Sequence, residues 1–188
     1  MSKLLPVFLD RDGVINRNLA EYVKSLKDWV PLPGAIEAIS NLSNAGHPVI
    51  IVTNQSAVSR KYCLESDVRE IHQHLVHLVD MAGGKIDGIY YCPHHPDDEC
   101  DCRKPRTGML DRARMELNLP SGGYLVGDAS SDMEMGRRAG LKTILVLTGR
   151  GLNQIELIRT EKHPLPWKVT EDLSSAASII LEDSVKVY

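Results

Sequence analysis

Short apolar runs that end in polar clusters recur along this chain, separated by stretches with helical spacing. Leu4 to Leu9 ends at Asp10, and the β-branched run Val49 to Thr53 ends at Asn54. Ile86 to Tyr91 leads into a loop bearing cysteines and histidines, and Tyr124 to Val126 leads to Asp128. Thr143 to Leu147 is a fifth run, with a weaker one near Val169. Between them, Gly34 to Ala45 carries Ile36, Ile39 and Leu42 at helical spacing, and Gly46 follows as a stop. Glu65 to Ala82 sets Val68, Ile71, Leu75, Leu78 and Val79 on one helical face. Met109 to Leu117, Asp132 to Ala139 and Leu173 to Leu181 complete the predicted helices.

Strands alternating with helices predict an α/β protein with a Rossmann-like three-layer α/β/α architecture and a mainly parallel central sheet. With 188 residues, the chain is long enough for one domain, 1–188, and leaves little room for a second. Ligands of such folds bind beyond the carboxyl ends of the strands. The polar clusters are therefore predicted to converge on one edge of the sheet.

Composition narrows the partners. Charged residues make up 25% of the chain, the formal net charge is −3 and no long basic run occurs, so nucleic acid and membrane surfaces are not expected partners. The first apolar run is too short for a signal-peptide core or a membrane span. A soluble, cytoplasmic monomer is the expectation.

Asp10-Arg11-Asp12-Gly13 is the sharpest motif. Two carboxylates directly after a buried strand can share one pocket if the backbone turns, and Gly13 eases that turn. One carboxylate can attack phosphorus to form an acyl phosphate. The other can protonate the leaving oxygen and then deprotonate water. Their mutual repulsion calls for a hard cation such as Mg²⁺. Asp128 supplies a third carboxylate, so Asp10, the Asp12 carbonyl and Asp128 would suffice as Mg²⁺ ligands. Asp132 either orients these groups from behind or serves as a favourable charge at a helix N-terminus. Thr53 offers a hydroxyl beside free backbone amides, and Lys104 a point charge for the transferring group. A solvated acidic turn remains the alternative for the first motif taken alone.

Cys92, Cys100 and Cys102 fall within residues 92–102, together with His94 and His95. Thiolates and imidazole in this number suit tetrahedral Zn²⁺, with Cys92, His94, Cys100 and Cys102 as ligands and His95 as the rival of His94. Such a closed site would be structural, pinning the loop that carries Arg103 and Lys104. Unligated thiols are the alternative. Cys63 stands apart as a packed or surface thiol. His72, His74 and His77 share a helix without metal-pair spacing and are expected on a solvated or partly packed face. His47 and His163 have no visible partner, and Trp29 and Trp167 are expected to pack.

In order, DRDGV at Asp10 to Val14, TNQS at Thr53 to Ser56, CRKP at Cys102 to Pro105 and VGD at Val126 to Asp128 resemble the four motifs of the haloacid dehalogenase superfamily. That resemblance covers nearly the whole chain. It implies Asp10 as nucleophile, Asp12 as acid/base, Thr53 and Lys104 as phosphoryl stabilisers and Asp128 as a Mg²⁺ ligand. An Asp two residues after the nucleophile marks its phosphatases. Neither gap where the superfamily inserts caps is long enough here, which implies an essentially capless site with a small zinc-binding loop.

Within the superfamily, Ile89 to Pro96, TNQS and Lys104 to Leu110 look most like the D-glycero-D-manno-heptose-1,7-bisphosphate 7-phosphatases of the histidinol-phosphate phosphatase-like subgroup. Those enzymes serve the heptose precursor of lipopolysaccharide. The resemblance implies that Asn54, Gln55 and Ser56 contact substrate, that Arg103 recognises its second phosphate, and that the segment Asn16 to Tyr22 borders the sugar. Two departures stand out: Lys61 replaces a glycine after TNQS, and Ala129 stands where a Lys often follows the metal-binding Asp. Histidinol-phosphate phosphatases resemble the chain in CRKP and the zinc loop and are the alternative. An inactive zinc-loop binding protein and a nucleic-acid phosphatase are further alternatives.

Overall fold

The computed structural model describes residues 4–160 and 164–185. Six strands form one sheet: β1 (Val7–Leu9), β2 (Val49–Asn54), β3 (Gly88–Cys92), β4 (Tyr124–Gly127), β5 (Lys142–Val146) and β6 (Lys168–Thr170). Their order is β3-β2-β1-β4-β5-β6, and every pair is parallel. The helices are α1 (Ala35–Asn44), α2 (Glu65–Met81), α3 (Gly108–Leu117), α4 (Ser130–Arg138), α5 (Gly151–Thr160) and α6 (Leu173–Val185).

Side chains alternate across a strand, and here both faces are covered. Val7, Leu9, Val49, Ile51, Val126 and Ile144 face a core completed by α1, α2 and α6. Phe8, Ile50, Val52 and Leu125 face the opposite layer, against Met109 and Leu110 of α3 and Met135 of α4. Burial on both sides explains why β2 reads as a continuous apolar run rather than an alternating one. The predicted three-layer fold is the observed one.

Chain order reverses beside β1, which pairs with β2 on one side and β4 on the other. That is the switch point where an α/β sheet opens a crevice. Asp10 follows β1 and Asp128 follows β4, so the crevice is lined by carboxylates from both of its walls. Among the described residues, segment 10–34 holds no helix or strand, only isolated bridges from Asn16 to Asp12 and Pro31. Segment 93–107 holds only a 3-10 turn at Pro96–Asp98. Neither is a cap.

Some expectations change. Helix α5 is not foreseen by the periodicity: of its side chains only Ile158 is buried, and Leu152 is 65% exposed, so little apolar pattern marks it. Of the α2 histidines, His77 is exposed and His74 partly packed, as expected, but His72 is not. His72 is buried, because α2 lies against the sheet with Val68, Ile71 and Leu75 on the same side. His47 does have partners, with Nδ1 at 2.7 Å from the Leu5 carbonyl and Nε2 at 3.0 Å from the Ser184 hydroxyl. His163 lies outside the described residues. Trp29 packs as expected, edge-on to the His74 ring, while Trp167 is partly exposed with Lys142 Nζ over its face.

Candidate active site

Each predicted cluster arrives at the carboxyl edge of the sheet on its own strand. Asp10 is fixed at the end of β1 by its amide, which donates to the Val126 carbonyl at 2.9 Å. The chain must then turn sharply, and Gly13 does so at φ 90°, where a side chain is strained and a Cβ would collide with the Asp128 carboxylate. Gly127 is required for a second reason: a Cβ there would run into the Asp132 side chain.

Lys104 reaches into the centre. Its Nζ lies 2.9 Å from Asp10 Oδ1 and 2.7 Å from Asp132 Oδ1, and all three side chains are almost completely buried. Burial raises the Asp10 pKa, with the Lys104 ammonium opposing and the Asp132 charge adding. For Lys104, burial favours the neutral amine, but the Asp10 and Asp132 charges prevail and hold its pKa above the usual value. Asp132 caps the helix start as foreseen and also pairs with Lys104. It accepts from the Ala129 amide at 3.2 Å as a helix cap and from Lys104 as an ion-pair partner.

Asp128 is wholly buried, and its pKa is raised by burial first and by the Asp10 charge second. Arg150, missed by the sequence reading, answers it: the backbone amide donates to Oδ2 at 2.9 Å and Nη2 to Oδ1 at 3.0 Å. Only the glycines that flank Arg150 hinted at a special position there.

Carboxylate oxygens of Asp10, Asp128 and Asp132 lie within 4.8 Å of one another. Three buried carboxylates with few cations fit a hard divalent ion, so the donor set suits Mg²⁺.

Asp12 has a different environment. Its side chain is 21% exposed to the cleft. Arg11 Nε and Nη2, Asn16 Nδ2 and Gln55 Nε2 all donate to it, at 2.8–3.1 Å. Burial alone would raise its pKa, but the Arg11 charge and these hydrogen bonds lower it. The two carboxylates of the motif are thus pushed in opposite directions, Asp10 towards its protonated form and Asp12 towards its charged form.

Asp10, Asp12, Thr53, Asn54, Ser56, Arg103 and Lys104 line one cleft of about 290 Å³, with Asn18, Tyr22, Ser131 and Arg150 around them. Asn16 and Gln55, expected against substrate, are buried against Asp12 and do not line it. Lys61 is exposed and away from the cleft, at φ 59°, a conformation that favours glycine.

Cys92, His94, Cys100 and Cys102 form the second cluster, their ligand atoms within 4.8 Å of one another. Cys100 Sγ lies 3.5 Å from both Cys92 Sγ and Cys102 Sγ. Zn–S bonds of about 2.3 Å in a tetrahedron place sulfurs roughly 3.8 Å apart, so the spacing fits Zn²⁺. His94 Nδ1 faces Cys102 Sγ at 3.2 Å, whereas His95 caps the 3-10 turn by accepting from the Asp97 amide. Of the two histidines, His94 is the one whose ring nitrogen joins the cysteine cluster. The loop is tied to β2: the Gln55 amide donates to the Cys92 carbonyl at 2.7 Å and the Lys104 amide to Asn54 Oδ1 at 3.2 Å.

Comparison with known proteins agrees with this arrangement. A haloacid dehalogenase-like hydrolase model matches residues 7–72 and a HAD-hydrolase-like model residues 101–176. The chain is 42% identical to D-glycero-beta-D-manno-heptose-1,7-bisphosphate 7-phosphatase of Pseudomonas aeruginosa over 97% of its length and 100% of that protein. It belongs to the haloacid dehalogenase-like hydrolases. The similarly named protein of Neisseria meningitidis is also 42% identical, over 95% of both chains. A crystal structure of D,D-heptose 1,7-bisphosphate phosphatase from Bordetella bronchiseptica, complexed with magnesium and phosphate, superposes with a TM-score of 0.89. It is 34% identical over 96% of this chain and 99% of that one. As a member of this family the chain is a phosphoric monoester hydrolase. These relatives carry the heptose name, and histidinol phosphate is not favoured.

Proposed function

We propose that the chain removes the 7-phosphate of D-glycero-D-manno-heptose 1,7-bisphosphate through an aspartyl-phosphate on Asp10. The observation that carries the substrate is full-length similarity to proteins bearing that name. The chemistry is carried by the convergence of Asp10, Asp12, Thr53 and Lys104 on one cleft.

Asp10 attacks phosphorus, and the bond to the sugar oxygen breaks. Asp12 gives that oxygen its proton. The donors around Asp12 favour its charged form, but an arriving phosphate dianion adds a negative charge nearby and favours the protonated one. In the second step Asp12 takes a proton from water, the oxygen attacks the acyl phosphate, and inorganic phosphate leaves with Asp10 regenerated. Lys104 and the Thr53 hydroxyl hold the transferring oxygens. Asp10, Asp128 and the Asp12 carbonyl would hold Mg²⁺, which would supply charge neutralisation for the phosphoryl group.

Arg103 and Arg150 are the remaining cations of the cleft. Arg103 has a buried Nη1 without a hydrogen-bond partner, a donor suited to the second phosphate. Arg150 pairs with Asp128, the residue before Ala129, where the family's lysine was expected. Tyr22 and Asn54 border the sugar. A structural Zn²⁺ on Cys92, His94, Cys100 and Cys102 holds the Arg103–Lys104 loop. Three reduced thiols in one loop fit a reducing, cytoplasmic compartment, and the chain acts as a monomer. No helix among the described residues is long and apolar enough to cross a membrane.

Phosphate release with Mg²⁺ from heptose 1,7-bisphosphate and from histidinol phosphate, side by side, tests the reading. Loss of the 7-phosphate alone is expected. Preference for histidinol phosphate would overturn the substrate.

A further inference from the structure

Arg11 is the largest fully buried side chain of the molecule as described, and the phosphoryl-transfer scheme gives it no step. A buried guanidinium is costly unless every donor is met. Nε and Nη2 are met by Asp12, and Nη2 also by Gln55 Oε1 at 3.0 Å. Nη1 is met by His72 Nε2 at 3.1 Å, reached from α2 across sixty-one positions of sequence.

A guanidinium carries donors only, so His72 Nε2 has to accept. The imidazole is therefore neutral, with its proton on Nδ1. Burial and the Arg11 charge also disfavour its charged form, drawing its pKa down to about 3. The same one-way logic continues through Gln55. Its Oε1 accepts from Arg11, so its amide nitrogen donates to Asp12 Oδ2 at 2.8 Å and to Thr53 Oγ1 at 2.9 Å. Thr53 Oγ1 is then an acceptor inside the protein, which leaves its own proton free for the cleft.

We propose that His72 is a positioning residue for phosphoryl transfer, holding Arg11 so that the guanidinium orients Asp12 and, through Gln55, sets the direction of the Thr53 hydroxyl. This rests on the phosphatase reading, not on the identity of the sugar. His72 does not line the cleft and reaches the motif through Arg11. A purely structural histidine would act on stability alone. A positioning histidine acts on kcat, because both steps run through Asp12.

The test compares His72→Leu, which removes the acceptor, with His72→Gln, whose side-chain oxygen can reach the same point. Turnover is measured on the preferred sugar phosphate and on p-nitrophenyl phosphate, with thermal melting alongside. Misplacement of a catalytic group by about an ångström costs on the order of 100-fold, so His72→Leu should lose roughly that factor in kcat with KM little changed. His72→Gln should restore most of it. If His72→Leu does not fold, His72→Asn, whose amide is too short to reach Arg11, takes its place with the same expected loss. Wild-type kcat in either acceptor-less variant, or equal loss in His72→Gln, would overturn the role. Failure of the heptose reading would show separately, as wild-type turnover of p-nitrophenyl phosphate without release from the heptose bisphosphate.

Discussion

Lys104 and Asp132 meet as a buried ion pair, Nζ to Oδ1 at 2.7 Å, on top of which Asp10 completes a three-membered cluster. Asp128 adds one more buried carboxylate within 4.8 Å. Lys104 alone cannot neutralise three acids, and Arg150 reaches only Asp128. The excess negative charge should draw a divalent cation, and a cation that binds only the folded state stabilises it. Mg²⁺ is therefore expected to raise the melting temperature of the wild type, and to raise it much less in Asp128→Asn. Equal shifts in both proteins would remove Asp128 from the metal site.

Replacing Asp10 by Asn keeps shape and removes the nucleophile. Lys104 keeps Asp132 as its partner, and one costly buried charge disappears. Asp10→Asn should thus melt at or above the wild-type temperature and release no phosphate. Lys104→Met is the contrasting case. It leaves Asp10 and Asp132 buried without their cation, a loss of about 3–5 kcal/mol, and removes a charge aimed at the transferring group. Melting curves and kcat, measured together, separate the two variants.

Arg103 and Arg150 differ in what they already hold. Arg150 is bound to Asp128, while Arg103 Nη1 has no partner. A hydrogen bond to a charged group contributes about 1.5–3 kcal/mol. Arg103→Ala should therefore raise KM for the bisphosphate by roughly 10- to 150-fold on that scale. The same substitution should raise KM far less for a monophosphate lacking the second group. Similar increases for both would place Arg103 at the transferring phosphate.

Much of the site is legible because α/β folds gather strand ends. Once the runs before Asp10, Asn54 and Asp128 are read as parallel strands, their polar ends must lie side by side. The zinc loop is legible because thiols and imidazole concentrate in so few residues. What is illegible depends on contacts between distant positions. Arg11 sits inside the motif, yet its burial follows from His72 on α2. Asn16 and Gln55 look like substrate contacts by position, but Asp12 claims their amides. Helix α5 is invisible because it covers the sheet with so few buried side chains that no apolar stripe forms.

His72 gives stability a pH dependence of known sign. Its pKa falls from 6.5 to about 3 in the folded protein, so the unfolded chain accepts a proton that the native state refuses. Its contribution is complete above about pH 6.5 and declines as pH falls from there towards 3. Within that window the slope is about 1.4 kcal/mol per pH unit. Denaturant unfolding of wild type and His72→Gln at several pH values isolates the effect, because the other titrating groups are common to both. The stability difference should shift in favour of the variant as pH is lowered. A pH-independent difference would mean that His72 titrates normally.

The zinc loop can be tested apart from catalysis. Cys92 lies on β3 and is buried, while Cys100 and Cys102 stand on the connection that leads straight to Arg103 and Lys104. Burial raises the Cys92 thiol pKa, whereas hydrogen bonds from Cys102 and Cys92 overcome burial at Cys100 and bring it to about 7. Zn²⁺ takes thiolates, so binding releases protons and weakens as pH falls. Purified protein should contain stoichiometric zinc, and Cys100→Ser should lose most of it. Without zinc the loop keeps its anchors at the end of β2, the Gln55 amide and Asn54 Oδ1, but loses the cross-link that closes it. The expected result is a lower melting temperature and a lower kcat, both restored by adding Zn²⁺ to chelator-treated wild type but not to Cys100→Ser. Full activity in zinc-free protein would show that β2 alone is enough to place Lys104.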